Sequence, residues 1–419
     1  MFATMKTTLA AGLALLAGTA GATDYTLVFD QVLDTVQQNF YDPGFRGLDW
    51  QAAGKRYRER LPQVKDDVAF AALMSELLGE LKVSHARIAA PAVARAKPRG
   101  IGAEVANIDG AETVIAVAPL SDAWRQGLRP GDQLLSPRAE IVGAVDSAAR
   151  LKVRDCAGKE RELSVRRMSV AWPDGQPGWR WSRFLPRADL PLGYLRVDRF
   201  DDGAAALADQ AMGDLAKTQG LIIDLRHNSG GNTAALRLAS YFLAPGEMPL
   251  LALFARTYLQ PLGRAPQAAD VKNGPKVQAY TDQAVFKAVS DHQGAAVFYS
   301  DALDGRRYAG KVVVLTGADT ASAAEGFAWV LRLHSKAHFL GRRSAGELLS
   351  GESFELAQGW NLTIPVHGLW GADGRDFADQ AITPDTVITW KRSDYCSGRD
   401  PDLEAAQDWL AAAADKGPR

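Results

Sequence analysis

Leu27, Phe29, Val32, Leu33, Val36 and Phe40 recur at helical spacing, and they predict a helix that Tyr41-Asp42-Pro43-Gly44 brings to an end. Two more helices are expected, Trp50 to Leu61 and Val68 to Leu81, the last running into Lys82-Val83-Ser84-His85-Ala86-Arg87. Past a Pro/Ala/Lys/Arg-rich linker, Pro91 to Gly100, the apolar pattern turns strand-like. Gly100 to Val105 and Glu112 to Val117 read as strands joined through Asp109-Gly110. A short helix, Ser121 to Gly127, and the strand Gln133 to Leu135 follow. Two more strands, Arg150 to Arg154 and Arg161 to Arg166, flank the turn Asp155 to Gly158.

Beyond a Trp- and Pro-rich connector, Ala171 to Pro191, strands and helices alternate. Leu192 to Val197 is a strand, Gly203 to Lys217 an amphipathic helix, Leu221 to Leu225 a strand and Thr233 to Leu243 a helix. The same alternation returns with the strand Lys311 to Thr316, an Ala-rich helix from Ala321 to about Ser335, and the strand His338 to Gly341. Strand, Gly-containing turn and helix in that order predict crossover units of a parallel sheet. Between these blocks, from Ala244 to Gly310, Pro245-Gly246, Pro261 to Pro266 and Asn273-Gly274-Pro275 break the pattern. A segment of that length is expected to cover a site or to be mobile, or else to be a surface insertion without a role. Gly359 to Val366 alternates like a strand, Asp373-Gly374 makes a turn, and Asp402 to Lys416 is an Ala-rich helix with Trp409 and Leu410 available to pack.

With 419 residues, 47% of them hydrophobic, the chain supports two or three domains with their own cores. Lys and Arg number 48 against 49 acids, so no basic excess points to nucleic acid. Lys6, the apolar run Leu9 to Ala17 and the small residues to Ala20-x-Ala22 have the layout of a secretory signal peptide. The run is too short for a membrane span. Loss of residues 1–22 removes Lys6 and no acid, moving the net charge from −1 to −2. The mature chain is therefore expected in the periplasm or outside the cell, with no integral membrane segment. Cys156 and Cys396 are compatible with an oxidising compartment, either bridged across 240 positions or free.

Two turns carry candidate chemistry. Ser322 falls at a strand end and a helix start, where unpaired N–H groups favour developing negative charge. A serine there is placed to act as a nucleophile, with the next N–H helping to hold an oxyanion. Ser322 and Glu325 also fit S-x-x-E, an ordinary capping box. The turn Asp224-Leu225-Arg226-His227-Asn228-Ser229-Gly230-Gly231 lets backbone N–H groups face a phosphate or an oxyanion, or simply closes a tight strand-to-helix joint. His85 by itself is one histidine among six.

These blocks together resemble the family S41 serine peptidases, which comprise the carboxy-terminal processing and tail-specific proteases and the tricorn-type enzymes. The resemblance rests on Asp224-Leu225-Arg226-x-Asn228-x-Gly230-Gly231, Thr320-Ala321-Ser322-Ala323-Ala324-Glu325 and Pro384-Asp385. It extends to Phe40-Tyr41-Asp42-Pro43, Asp49-Trp50 and the Leu81-x-x-Ser84-His85 ending. It implies an α/β fold, a crotonase/ClpP-like catalytic core with an N-terminal helical domain and a small β domain. In that division 1–22 is the signal peptide, 23–96 the helical domain, 97–168 a PDZ-like domain, 169–391 the catalytic domain and 392–419 a helical tail. The PDZ resemblance rests on the β-β-α-β-β order and Gly127-Leu128-Arg129-Pro130-Gly131-Asp132. Gly100-Ile101-Gly102 then falls where such domains bind a peptide carboxylate, although the stretch after Gln133-Leu134-Leu135 lacks the usual small apolar-Gly pattern.

The resemblance offers two catalytic arrangements. A Ser-Lys dyad requires a lysine after Gly346, where this chain has Glu347, and Lys336 lies at the far end of the Ser322 helix. The tricorn-type arrangement maps onto Ser322 as nucleophile, His85 as base and Ser84 beside it. Ala323 with Gly230 or Gly231 would form the oxyanion hole. The family's glutamate falls on Ala378, so Asp379 is the expected orienting acid, with Glu347 and Glu352 in reserve and His227 as the other candidate base. No metal or cofactor is implied. The expected substrate is a peptide or unfolded protein segment, with a degenerate peptide-binding shell or an esterase on the same scaffold as the alternatives.

Overall fold

A computed structural model describes residues 23–91, 100–168, 178–183, 190–378 and 380–414. The expected signal peptide, most of the linker after Pro91, much of the Trp/Pro-rich connector and Asp379 lie outside the described residues.

Six strands form the first sheet, in the order Thr386–Val387, His338–Gly341, Lys311–Thr316, Gly220–Asp224, Leu192–Val197 and Trp179–Ser182. All neighbours are parallel except the last pair. A parallel sheet needs cover on both faces, which is why its strands read as unbroken apolar runs. Leu221, Ile223, Val312 and Val314 face the helices Ala204–Leu215 and Ala323–His334. Ile222, Val313 and Leu315 point the other way, onto Ala406 and Leu410 of the tail helix Pro401–Ala414.

The second sheet is built on the long strand Asn361–Gly371. It pairs with Ser350–Glu355 on one side and with Arg87–Ala89 and then Pro249–Ala255 on the other. Ala295–Tyr299 and Lys276–Val277 extend it. Its Leu251, Leu253 and Leu369 join the core under the first sheet. Its opposite face, with Phe254, Ile364 and Trp370, shares one core with Phe29, Phe40, Phe70 and Trp50 of the helical start. The expected helices are present as Tyr25–Asn39, Trp50–Arg58 and Asp67–Gly79, each opened by an aspartate whose carboxylate caps the first N–H groups.

The segment 244–310 is part of the second sheet. It is not a surface insertion: Pro249–Ala255 is a central strand whose Leu250, Ala252 and Phe254 have no exposed surface. Ala295–Tyr299 pairs beside it. Apart from Pro249, which opens the first of them, these strands contain no Pro or Gly.

The third sheet is a separate antiparallel module of five strands, Ala103–Ile108, Ala111–Val117, Gln133–Leu134, Ala148–Arg154 and Glu160–Arg166, with its own core of Val114, Leu128, Leu151 and Val165. Cys156, at its last hairpin, is bonded to Cys396 in the helix Arg392–Ser397, with Cα atoms 5.7 Å apart. The guanidinium of Arg392 adds hydrogen bonds to the carbonyls of Gly131 (2.8 Å) and Asp155 (2.6 Å).

Candidate active site

Gly220–Asp224 and Lys311–Thr316 lie side by side and end at the same edge, so the two turns that follow them meet. Ligands of open α/β sheets bind outside such carboxyl ends. The turns are stitched to each other. Thr320 Oγ1 donates to the carbonyl of Leu225 at 2.7 Å, and the Ala321 N–H donates to the carbonyl of Asn228 at 3.0 Å. Asn228 is fully buried; its Nδ2 donates to the Val197 carbonyl at 3.0 Å and its Oδ1 accepts the Gly230 N–H at 2.8 Å.

Ser322 follows directly, with φ +54° and ψ −125°. A β-carbon makes that conformation costly, and such strain persists only where the surroundings over-determine it. Here the determinants are visible. The Ser322 N–H donates to the Glu347 carbonyl at 3.0 Å and to Oε2 of Glu325 at 3.2 Å. Glu325 is wholly buried, which pushes its carboxyl pKa up against the pull of its hydrogen-bond donors.

The glycine turn faces this serine. A methyl on Gly230 would stand 3.0 Å from Ser322 Oγ and 3.0 Å from the Ala321 carbonyl oxygen, and one on Gly231 would overlap the Phe200 carbonyl. Their φ values of +108° and +137° independently exclude a side chain. With the Gly230 N–H taken by Asn228, the N–H groups of Ala323 and Gly231 have no acceptor among the described residues.

His85 arrives from the helical start. It precedes the strand Arg87–Ala89, which pairs antiparallel to Asn361–Gly371, and it has φ +62°. Its side chain lies over Gly351, where an added methyl would stand 3.0 Å from His85 Cβ and 3.6 Å from its ring carbon Cδ2. Ser84 Oγ and His85 Nδ1 are shielded from solvent. One cleft of about 360 Å³ is lined by His85, Ser322, Ala323 and Gly231 together.

Residues 191–388 match the family model for peptidase family S41, and residues 22–79 match that of the tricorn protease C1 domain.

The chain carries a family S41 peptidase domain.

A putative tricorn protease homolog 2 of Streptomyces coelicolor is 23% identical, over 92% of this chain but only 32% of its own length. The chain thus spans about a third of that relative. The chloroplastic C-terminal processing peptidase of Tetradesmus obliquus is 24% identical over 87% of this chain and 78% of its own length. Among solved structures, mature CPAF in complex with lactacystin shares the fold at a TM-score of 0.64 and 14% identity, covering 93% of this chain and 98% of the other.

The other sequence-derived candidates scatter around the S41 domain. His227 is exposed, with Nδ1 4.0 Å from Asp319. Lys336 is exposed beyond the helix Ala323–His334. Glu347 and Glu352 carry exposed side chains, and Ala378, where the family glutamate was expected, is buried. Asp379 lies outside the described residues. Among the described residues no cluster of His, Cys, Asp or Glu is arranged to hold a metal ion, and no helix is long and apolar enough to cross a membrane.

The cleft wall is what sequence reasoning missed. Leu251, Leu253, Val285 and Phe286 come from the segment 244–310; Leu369, the cross-strand neighbour of Leu253, and Phe327 line the same cleft. The signal was present in Pro249-Leu250-Leu251-Ala252-Leu253-Phe254-Ala255, a short apolar run bounded by turn residues.

Proposed function

We propose that this protein is an exported serine peptidase that hydrolyses peptide bonds with Ser322 as nucleophile and His85 as general base. The observation that carries the reading is Ser322 itself: a serine in a strained backbone conformation at a strand-to-helix turn, lining the same cleft as a histidine from the far end of the chain.

In this reading Ser322 Oγ attacks the scissile carbonyl carbon while an imidazole nitrogen of His85 takes its proton. The oxyanion that forms accepts from the Ala323 N–H and from that of Gly231. Gly230, whose own N–H is held by Asn228, serves as the close-approach position opposite Oγ. His85 then gives its proton to the leaving amine, and water enters by the reverse sequence to free Ser322. Ser84 and Asp379 are the positioning partners this scheme assigns to His85. Removal of one oxyanion donor typically costs ~10²–10³ in rate.

The apolar wall of Leu251, Leu253, Phe286 and Leu369 supports a peptide substrate that buries an apolar side chain beside the scissile bond. The PDZ-like reading of the antiparallel module is supported by Ala103–Ile108, an edge strand directly after Gly100-Ile101-Gly102 and open to strand addition. It suits capture of an unfolded or C-terminal segment. Export is supported by the signal-like start and by the Cys156–Cys396 bond, which persists in oxidising compartments.

A fluorophosphonate probe on the mature protein tests the chemistry. Wild type labels, whereas Ser322→Ala does not and His85→Ala labels at least ~10²-fold more slowly. Equal labelling of all three removes Ser322 as nucleophile and leaves a peptide-binding shell.

A further inference from the structure

The glycine turn is anchored from behind by the C-terminal tail. Arg226, two residues before Asn228, is a largely buried cation whose side chain is about 10% exposed. Its Nε and Nη2 donate to the two oxygens of Asp224 at 3.0 and 2.7 Å. Its Nη1 donates to Asp400 at 2.9 Å and to Asp402 at 3.0 Å, and Nη2 reaches the second oxygen of Asp400 at 2.9 Å. Asp402 has no exposed surface, and it also accepts from Arg342 Nη1 at 2.9 and 3.0 Å. Arg342 follows the strand His338–Gly341, and its N–H donates to the carbonyl of Thr316, at the end of the Ser322 strand. Asp400 is also fixed from its own side, accepting the N–H of Leu403 at the start of the tail helix at 3.0 Å. Two tail carboxylates thus grip both strand ends from which the candidate site is built.

We propose that Asp400 and Asp402 are positioning residues for the Ser322 reaction: through Arg226 they hold the Asn228–Gly231 turn at the distance from Ser322 that places the Gly231 N–H on the oxyanion. This inference rests on the peptidase reading above. The path is short. Arg226 begins the turn, Asn228 carries both the Ala321 and the Gly230 N–H groups, and Gly231 is the next residue. Asp224 alone cannot fix the guanidinium against the tail side, because it supplies acceptors only to Nε and Nη2. With either tail carboxylate neutralised, Arg226 keeps its strand-side partner and loses part of its grip on the far side. The turn is then free to shift by a fraction of an ångström, and misplacement of about 1 Å at a reacting centre costs up to ~10²-fold.

The test compares wild type, Asp400→Asn, Asp402→Asn and Ser322→Ala on an internally quenched peptide carrying leucine before the scissile bond. The kcat is divided by the fraction of molecules that a fluorophosphonate labels. The expected result is a fall of about tenfold in kcat per labelled site at unchanged KM for both Asn variants. A purely structural role lowers the labelled fraction and leaves kcat per site alone, and that result overturns the inference. Should Asp402→Asn fail to fold, Asp400→Asn decides, since its side chain is about one-third exposed. Wild type reacting no faster than Ser322→Ala overturns the peptidase reading and this inference with it. Wild type reacting while both Asn variants match it overturns this inference alone.

Discussion

Oε2 of Glu325 lies 3.2 Å from the backbone nitrogen of Ser322, and the same carboxylate accepts the N–H groups of Gly346 at 2.7 Å and Glu347 at 2.8 Å together with the hydroxyl of Ser344. Ser344 Oγ in turn accepts the Ile382 N–H at 2.7 Å. One buried side chain therefore joins the strained serine to the loop 344–347 and to the chain beyond it.

Glu325→Gln is expected to fold and to lose both stability and turnover. An amide has one oxygen where three backbone N–H groups and a hydroxyl converge, so its NH₂ faces a donor instead of receiving one. A buried donor left unsatisfied costs about 1–3 kcal/mol. A thermal midpoint lowered accordingly, with Ser322 labelling slowed, supports this account. An unchanged midpoint would mean that the four hydrogen bonds contribute little.

His367 predicts how the fold responds to acid. It sits in Asn361–Gly371 opposite Ala255 and Ser350, its ring centroid 5.8 Å from that of Phe286. Its Nδ1 is buried with no partner among the described residues. Burial alone pushes its pKa down to about 4. In the unfolded chain it titrates near its ordinary value of ~6.5, so between those values the unfolded state binds a proton that the folded state refuses. The stabilisation is complete above about pH 6.5 and is lost as the pH falls toward 4, in total about 3 kcal/mol. Thermal midpoints measured across that window should decline more steeply for wild type than for His367→Asn. Parallel curves would exclude His367 as the source.

Cys156 and Cys396 make a third case. Their bond closes a loop over 240 positions and ties the antiparallel module to the tail. Restricting so long a loop stabilises by up to ~5 kcal/mol in the chain-entropy account. Treatment with reductant should lower the melting of wild type to that of the Cys156→Ser/Cys396→Ser variant and leave the variant unmoved. A wild type indifferent to complete reduction, verified by thiol counting, would show that the Arg392 hydrogen bonds alone suffice.

What was legible beforehand was local. Lys311–Thr316 has the predicted limits because six residues of buried β-branched and apolar pattern declare a parallel strand without reference to anything distant. The helices at Tyr25, Trp50 and Asp67 begin where aspartates cap them. Ser322, Gly230 and Gly231 were singled out because their turns carry short motifs. No single reading of the segment 244–310 was legible, because its strand Pro249–Ala255 takes its meaning from Asn361–Gly371, a partner more than a hundred residues on. The importance of Asp400 and Asp402 had no local signal at all, since they cap or follow a helix start in sequence and become partners of Arg226 only in space.

By itself the sequence determined where strands, helices and tight glycine turns form, since period, capping and φ preference act over a few neighbouring residues. Only the tertiary structure decided that His85 and Ser322 share a cleft, that Leu251 and Phe286 wall it, and that Cys156 meets Cys396. Those meetings follow from burying two sheets against common cores, a condition that the whole chain satisfies at once and that no single stretch of it encodes.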